Sequence, residues 1–515
     1  MLYSVLRPLA RIALGWYYES VEAVGLERIP LHGPVFLAGN HPNAMMDALL
    51  IGVLVPRPVR MLAKATLFKN PVVGAVLRAA GVIPLHRARD VAPDIAPPVG
   101  ADLSRNAHSF RAVADALATN GAVVIFPEGT SHDDPQLAPI RTGLARMALE
   151  ARDVHAVHDI TIVPLGIVFE AKETPRTRVL LQVGEPLRLN DWPAEHTSVA
   201  ALTSEIHRRL RDVTLNFSSP EESARLLTLA HALGVLFTPT RRIGAESYRL
   251  ADVVQLVKRI HRAASRITGE FQIVEAVPAS ALHTTGSMRI GARDVKLTTR
   301  VQQFEKRFAA LLTQLTRERL ALEDVAVEPG SGAGARFAIR EGVLALVRGP
   351  IGMWGRVNHW LPITLTRTLA LRGVKSRDEP AMRSVLFGLM LVLTFYALQT
   401  SLVAWLLGGW WALAYAITLV PSASSDFRYG DRTRRARERA RAYFRFRKEP
   451  ALQRALMAEA AWVREEAVAL EVIMLAMNPT TEYPIPEPAS PPSAADTDRP
   501  GPSATRVAAP PSGDP

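Results

Sequence analysis

The chain has 515 residues, too many for one compact module at roughly 100–200 residues per domain. Its 48% apolar and 21% charged content excludes a wholly disordered chain, and the lack of cysteine excludes a disulfide framework, a thiolate metal site and a Cys-acyl intermediate. A net charge of +12 and an isoelectric point near 10.2 point to an anionic partner: nucleic acid, anionic lipid or a phosphorylated substrate.

Residues 1–20 read as an amphipathic helix. Leu2, Leu6, Leu9, Ile12 and Trp16 recur at helical spacing, and Arg7 and Arg11 interrupt the unbroken apolar run that a secretory signal needs. Such a helix lies in a membrane interface or packs on the domain that follows. From 21 to 220, short apolar runs alternate with helical patterns in the manner of an α/β domain, with strands predicted at Pro34–Ala38, Val59–Ala63, Ala122–Phe126, Ile160–Val168 and Arg178–Val183. Residues 221–345 are helix-rich and Arg-rich and form a helical accessory region, with Val301–Leu322 as a long amphipathic helix. Gly330, Gly332 and Gly334 lack a phosphate-loop fingerprint and read as a flexible linker.

After a pre-membrane segment, 346–383, comes the most apolar run, Ser384–Val420, nearly long enough for two spans. Gly408-Gly409, followed by Trp410 and Trp411, marks a turn within it, so a transmembrane helical hairpin is expected. Lys375, Arg377 and Arg383 precede the run and Arg428, Arg432, Arg434 and Arg435 follow it, which puts both ends in the cytoplasm. Residues 421–478 include a basic helix, Arg428–Lys448, with interleaved Tyr443, Phe444 and Phe446. It suits RNA or lipid, and its place after the apolar run favours anionic membrane lipids; no nucleic-acid motif accompanies it. The Pro/Ala/Ser-rich tail, 479–515, is expected to be disordered.

Chemistry concentrates in Gly39-Asn40-His41-Pro42-Asn43-Ala44-Met45-Met46-Asp47, just after the first of those strands. Pro42 disfavours helical geometry at His41 and so sets the imidazole in a turn. Asn43 is suited to cap a helix that begins at Ala44, which carries Asp47 in its first turns with its carboxylate folding back to the ring. A histidine held by a carboxylate is a general base of fixed tautomer. His155 and His158 lack a third metal ligand nearby, and His132-Asp133-Asp134 falls in a loop, so neither reads as a metal site.

Three further blocks follow in order: Gly81-Val82-Ile83-Pro84-Leu85-His86-Arg87, Phe126-Pro127-Glu128-Gly129-Thr130-Ser131 and Ile162-Val163-Pro164-Leu165. With the His-Asp block, they resemble the four motif blocks of the phospholipid/glycerol acyltransferase family over about residues 20–220. One departure is the spacing: the family pattern has four residues between His and Asp, and here five intervene, Pro42 to Met46, an extra residue that the turn before the helix can absorb.

The resemblance implies an α/β acyltransferase domain, a central sheet flanked by helices, followed here by the helical accessory region and the hairpin. It implies acyl transfer from a thioester, acyl-CoA or acyl carrier protein, to a hydroxyl of a glycerol phosphate, with no cofactor and no metal. His41 would take the hydroxyl proton and Asp47 would hold the ring. Arg87 fits a phosphate ligand, since its planar fork matches phosphate oxygens. Glu128, Gly129 and Thr130 carry over as acceptor-binding residues, Lys64 and Arg141 as supplementary phosphate contacts, and Val163-Pro164 as packing around the substrate. The long helical region and hairpin resemble a branch that acylates glycerol 3-phosphate or dihydroxyacetone phosphate. Acylation of lysophosphatidic acid and a catalytically silent membrane scaffold stand as alternatives.

Overall fold

The computed structural model describes residues 2–85, 101–192, 198–237, 249–275, 287–372, 374 and 379–476. The expected phosphate ligand Arg87, the flanking Lys375 and Arg377, and the tail 479–515 lie outside the described residues. The sheet and nearly all helices belong to one unit, Met1–Arg464; a second, Glu465–Pro515, holds the end of the last helix.

In chain order the elements are α1 (Leu2–Tyr17), β1 (Ser20–Val24), β2 (Val35–Gly39), α2 (Met45–Leu54), β3 (Val59–Lys64), α3 (Pro71–Ala79), β4 (Ile83–Leu85), α4 (Ala101–Ala118), β5 (Ala122–Ile125), α5 (Gly143–Asp153), β6 (Thr161–Phe169), β7 (Arg178–Val183), β8 (Leu187–Arg188) and α6 (Val199–Val213). Among the described residues only helices follow: α7 (Pro220–Phe237), α8 (Leu250–Glu275), α9 (Ser287–Glu318), α10 (Ser331–Leu371), α11 (Glu379–Leu407), α12 (Gly409–Lys448) and α13 (Pro450–Ala476). The five expected strands are present with ends shifted by one residue at most. β1, β4 and β8 are short edge elements whose sequences lack a sustained apolar alternation.

The strands form one sheet in the order β1-β7-β6-β2-β5-β3-β4, with β8 beside the start of β6. Pairings from β6 to β4 are parallel, while β7 and β8 run antiparallel to β6. β2 and β5 sit at the centre and are buried throughout, as a run covered on both faces must be. Alternation sorts their side chains: Phe36, Ala38, Val123 and Ile125 face the layer of α4, α5 and α6, and Val35, Leu37 and Val124 face α1 and α2. At the amino ends of the strands, buried Arg57 donates to the carbonyls of Pro30 (2.7 Å), Gly33 (2.9 Å) and Asn120, tying three loops under the sheet. The opposite, carboxyl ends of β2 and β5 carry the His-Asp and Phe-Pro-Glu-Gly blocks, while Ile162–Leu165 lies inside β6 and Ile83–Leu85 is β4 itself.

α1 packs on the domain, but through the face expected to be its polar one. Arg7 donates to the carbonyls of Val53 (3.2 Å) and Val55 (2.6 Å), and Arg11 to Val53 (3.4 Å), covering acceptors at the carboxyl end of α2 that lack helical partners. Leu14 and Tyr17 reach the core, whereas Leu6, Leu9 and Ile12 stay exposed.

The glycine stretch 330–334 is not a linker. Gly330 caps α10 and Gly334 lies in it, close against the Tyr443 ring, where a Cβ would come within 2.5 Å of the hydroxyl. Gly334 serves helix packing there, and the boundary expected at residue 346 falls inside this one helix. α11 and α12 fold back at Gly408, whose φ of 90° suits glycine. Among the described residues one helix, α11, is long and apolar enough to cross a membrane, with mean hydropathy 1.8.

Candidate active site

His41 follows β2 and Glu128 follows β5, its hydrogen-bonded neighbour, so the parallel pairing brings both to the same end of the sheet. In open α/β sheets the crevice outside the carboxyl ends of the strands is where ligands bind. Asn40 locks the start of the turn to β6: its Nδ2 donates to the Ile167 carbonyl (3.1 Å), and its Oδ1 accepts from the Ile167 N–H (2.7 Å).

His41 Nδ1 lies 2.9 Å from Asp47 Oδ2. The extra residue of the spacing is taken up at Ala44, whose φ of 45° and ψ of −123° are rare for a residue with a Cβ. This moves the helix start: α2 begins at Met45, not Ala44, and Asn43 does not cap it. Instead Asp47, in the first turn, accepts the Asn43 N–H (2.8 Å), while the Asn43 side chain turns to the Lys172 carbonyl (3.4 Å). Asp47 is fully buried. Burial pushes its carboxyl above the usual carboxylate range; the His41 and Asn43 hydrogen bonds and the nearby Lys172 cation act the other way.

The ring is also held from its face. Phe126 stacks on it with centroids 4.1 Å apart and planes 11° from parallel. With Nδ1 engaged by Asp47, Nε2 is the nitrogen left for a reacting proton; the side chain is 16% exposed.

Glu128 is buried and works as a hub for the loops. Oε1 accepts the His41 N–H (2.7 Å), and Oε2 accepts the Ala138 N–H (3.1 Å) and meets His132 Nε2. Its carboxylate is thus spent on fixing the turn that carries His41. Gly129, at φ 82°, lets the Arg141 side chain cross over the backbone: a Cβ there would stand 2.7 Å from Arg141 Nε. Arg141 Nε donates to the Glu128 carbonyl (3.4 Å), and its guanidinium is exposed beside the site. Thr130 is exposed at the rim. Lys64 ends β3, on the other side of β5 from His41. Val163 is buried in the core beneath α2 with Met46 and Leu50.

Three further residues complete the site beyond those assigned a role from the sequence. Lys172 Nζ donates to the carbonyls of Pro42 (3.0 Å) and His132 (3.4 Å) and pairs with Asp133, so one cation clamps the His41 turn to the 130s loop. His132 joins through Glu128, and Phe126 through stacking. Phe126 and His132 sit in or beside the Phe-Pro-Glu-Gly block and were findable by proximity; nothing local marks Lys172.

The acyltransferase family model matches residues 20–168. Glycerol-3-phosphate O-acyltransferase 2 of Saccharomyces cerevisiae is 38% identical over 119 residues, which cover 22% of this chain and 16% of that protein. An uncharacterized acyltransferase of Schizosaccharomyces pombe is 21% identical over 379 residues, 57% of this chain and 54% of the relative. The human 1-acyl-sn-glycerol-3-phosphate acyltransferase beta is 27% identical over 226 residues, covering 41% and 73%. The chain therefore spans only 16% and 54% of the first two relatives' own length. The crystal structure of the 1-acyl-sn-glycerophosphate acyltransferase of Thermotoga maritima aligns with TM-score 0.32 and 20% identity over 41% of this chain and 78% of that one.

Proposed function

Because residues 20–168 match the acyltransferase family model, we propose that the chain moves a fatty acyl group from acyl-CoA or acyl carrier protein to a hydroxyl of glycerol 3-phosphate or dihydroxyacetone phosphate. The observation that carries the reading is the His41–Asp47 contact of 2.9 Å, made on Nδ1 so that Nε2 is left for a reacting proton. His41 Nε2 takes the acceptor's hydroxyl proton as that oxygen attacks the thioester carbonyl. The carbon–sulfur bond then breaks, and the proton passes from the imidazolium to the leaving thiolate. Asp47 holds the ring in the working tautomer and stabilises its cation. Exposed Arg141 is aimed at the acceptor's phosphate, with Arg87 and Lys64 as its partners in that task.

The acceptor's identity draws support from the two yeast relatives named as glycerol-3-phosphate acyltransferases, at 38% and 31% identity over short stretches. The human relative, matched over most of its length, favours 1-acylglycerol 3-phosphate as the second reading. The ordered dyad speaks against a silent scaffold. We place α11 and the start of α12 across the bilayer as a hairpin, with the catalytic domain and both hairpin ends on the cytoplasmic face. The exposed apolar residues of α1 lie in the interface, and the basic part of α12 meets anionic head groups.

A thiol-release assay with purified, reconstituted protein tests this across glycerol 3-phosphate, dihydroxyacetone phosphate and lysophosphatidic acid, each with both donors. Highest kcat/KM on one of the first two acceptors is expected. Preference for lysophosphatidic acid selects the second reading, and no thiol release with any pair would leave the scaffold. Arg87→Ala should raise KM for the acceptor and leave KM for the thioester nearly unchanged; equal rises would assign Arg87 to the fold or the donor.

A further inference from the structure

The helix before the hairpin is built inside out. α10 exposes large apolar side chains such as Ile351, Met353, Val357, Trp360 and Leu361, continuous in kind with Leu398, Leu402 and Trp405 on α11 and with Trp410, Trp411 and Ile417 on α12. Of its polar residues Asn358, His359 and Thr366 turn inward, and Arg356, on the exposed side, is held in an ion pair with Asp426 of α12 (3.1 Å). His359 is buried, with Nδ1 on the Gly355 carbonyl (2.7 Å) and Nε2 on the Tyr396 hydroxyl (2.6 Å). Buried Asn358 accepts from the Tyr415 hydroxyl (2.5 Å) and donates to the Trp354 carbonyl (2.7 Å). In water this sorting would be the reverse; beside hydrocarbon it is required.

Pro362 makes the same point through the backbone. Having no N–H, it leaves the carbonyl of Asn358, four residues earlier, without its helical donor, and the Gln399 side chain of α11 donates to that oxygen at 3.1 Å. Helix-breaking prolines are tolerated in lipid when a neighbouring helix satisfies the freed group in this way.

The contacts of α10 also trace its path. Along α12 it meets Arg432 from Glu341, Tyr429 from Gly352, Ser422 from Gly355 and Tyr415 from Asn358, each step nearer the Gly408 turn. Along α11 it then meets Tyr396 from His359 and Gly388 from Thr366, each step farther from it. The contacts pass from α12 to α11 at Asn358 and His359.

We propose that α10 is a re-entrant, lipid-facing element: it dips into the acyl-chain region of the bilayer near Asn358–Pro362 and returns to the face it came from. The occupant of its exposed apolar face is lipid hydrocarbon. Cationic side chains at its ends, Arg340 and Arg348 before the dip and Arg367 and Arg372 after it, suit anionic head groups. The proposal rests on the reading of α11 and α12 as a membrane hairpin.

The cysteine-free chain permits a direct test with single cysteines at positions exposed in the structure: Val343 (56%), Leu361 (43%) and Leu371 (66%), with Trp360 as a second dip position. Val154→Cys marks the catalytic face and Trp410→Cys the hairpin tip. In sealed membranes, an impermeant thiol reagent should label V343C and L371C from the side that labels V154C. L361C and W360C should lose labelling from both sides, and a fluorophore placed there should be quenched by acyl-chain spin-labelled lipids. Labelling of L371C only from the W410C side would make α10 a full span, and water-accessible L361C would make it a surface helix; either overturns the dip alone. Protection of L361C without quenching would mean that protein, not lipid, covers it, and also overturns the proposal. W410C labelled from the V154C side would overturn the hairpin, and the dip with it.

Discussion

The carboxyl edge of the sheet and the α10–α12 helices solve the burial of polar groups in opposite ways. Under the edge, apolar side chains fill both faces of β2 and β5, and the polar groups gather at the rim, where Glu128 and Lys172 spend hydrogen bonds on loop backbone and Asn40 on the backbone of β6. In the helices many large apolar side chains are outside, and Asn358, His359 and Gln399 bond within and between α10, α11 and α12. The first pattern is what water around a domain favours, and the second is what the proposed lipid surroundings of α10–α12 would favour. On that proposal a buried polar side chain serves chemistry in one region and helix association in the other.

If this contrast is sound, substitutions in the two regions should separate activity from assembly. The largest effect is expected for His41→Ala: turnover should fall by ~10²–10⁴-fold with membrane attachment unchanged, measured by thiol release and carbonate extraction. Loss of attachment together with activity would show that the site is not separable from the fold. Asp47→Asn is next, at about 10²-fold in kcat with little change in acceptor KM, because the amide keeps the shape but cannot stabilise the imidazolium. The pH profile sharpens this. Burial raises the Asp47 carboxyl, so as pH falls it gains its proton before an exposed carboxylate near 3.9 would, and part of the acid limb of kcat/KM belongs to it. In Asp47→Asn that part should vanish; an unchanged limb would mean that Asp47 does not titrate with the dyad.

In the helices, Asn358→Leu should lower the thermal midpoint of the reconstituted protein, the loss corresponding to about 1 kcal/mol, with kcat close to that of the parent chain. A large kcat effect with no thermal shift would break the contrast. The smallest effect is expected on the water-facing side of the domain. Glu205, hydrogen-bonded to Arg208 and Arg209 in α6, has its carboxyl held down from 4.5 to about 2. Its contribution, about 1 kcal/mol or less for surface pairs, is present above pH 4.5 and is lost as pH falls toward 2. Glu205→Gln should flatten stability over that window in acid denaturation, and an unchanged curve would remove the pairs from the balance.

The sequence and the structure agree most where the signal is local. The central strands are unbroken runs of β-branched and apolar residues, and the His41–Asp47 pair stands in one turn, so both could be read directly. Lys172 could not, because its partners Pro42, His132 and Asp133 are distant in the chain and only the parallel sheet brings them to it. α10 was hidden for another reason. Arg348, Arg356 and Arg367 and two prolines dilute its hydropathy, although Arg356 is turned to Asp426 of α12. Gly330, Gly332 and Gly334 looked like punctuation because a glycine selected for close helix packing has the same symbol as one selected for a turn.

At Ala44 the backbone conformation has a meaning for ancestry and design. A residue with a Cβ held at φ 45° stores strain of order 1–3 kcal/mol, and it does so at the point where the His-to-Asp count exceeds the family's usual count by one. Asp47 still meets the ring because its place is set by α2, as the third residue of that helix, and not by its distance in sequence from His41. The turn thus behaves as an elastic spacer between two fixed anchors. A motif written as a fixed count therefore overlooks this chain, whose His41–Asp47 contact is intact at 2.9 Å.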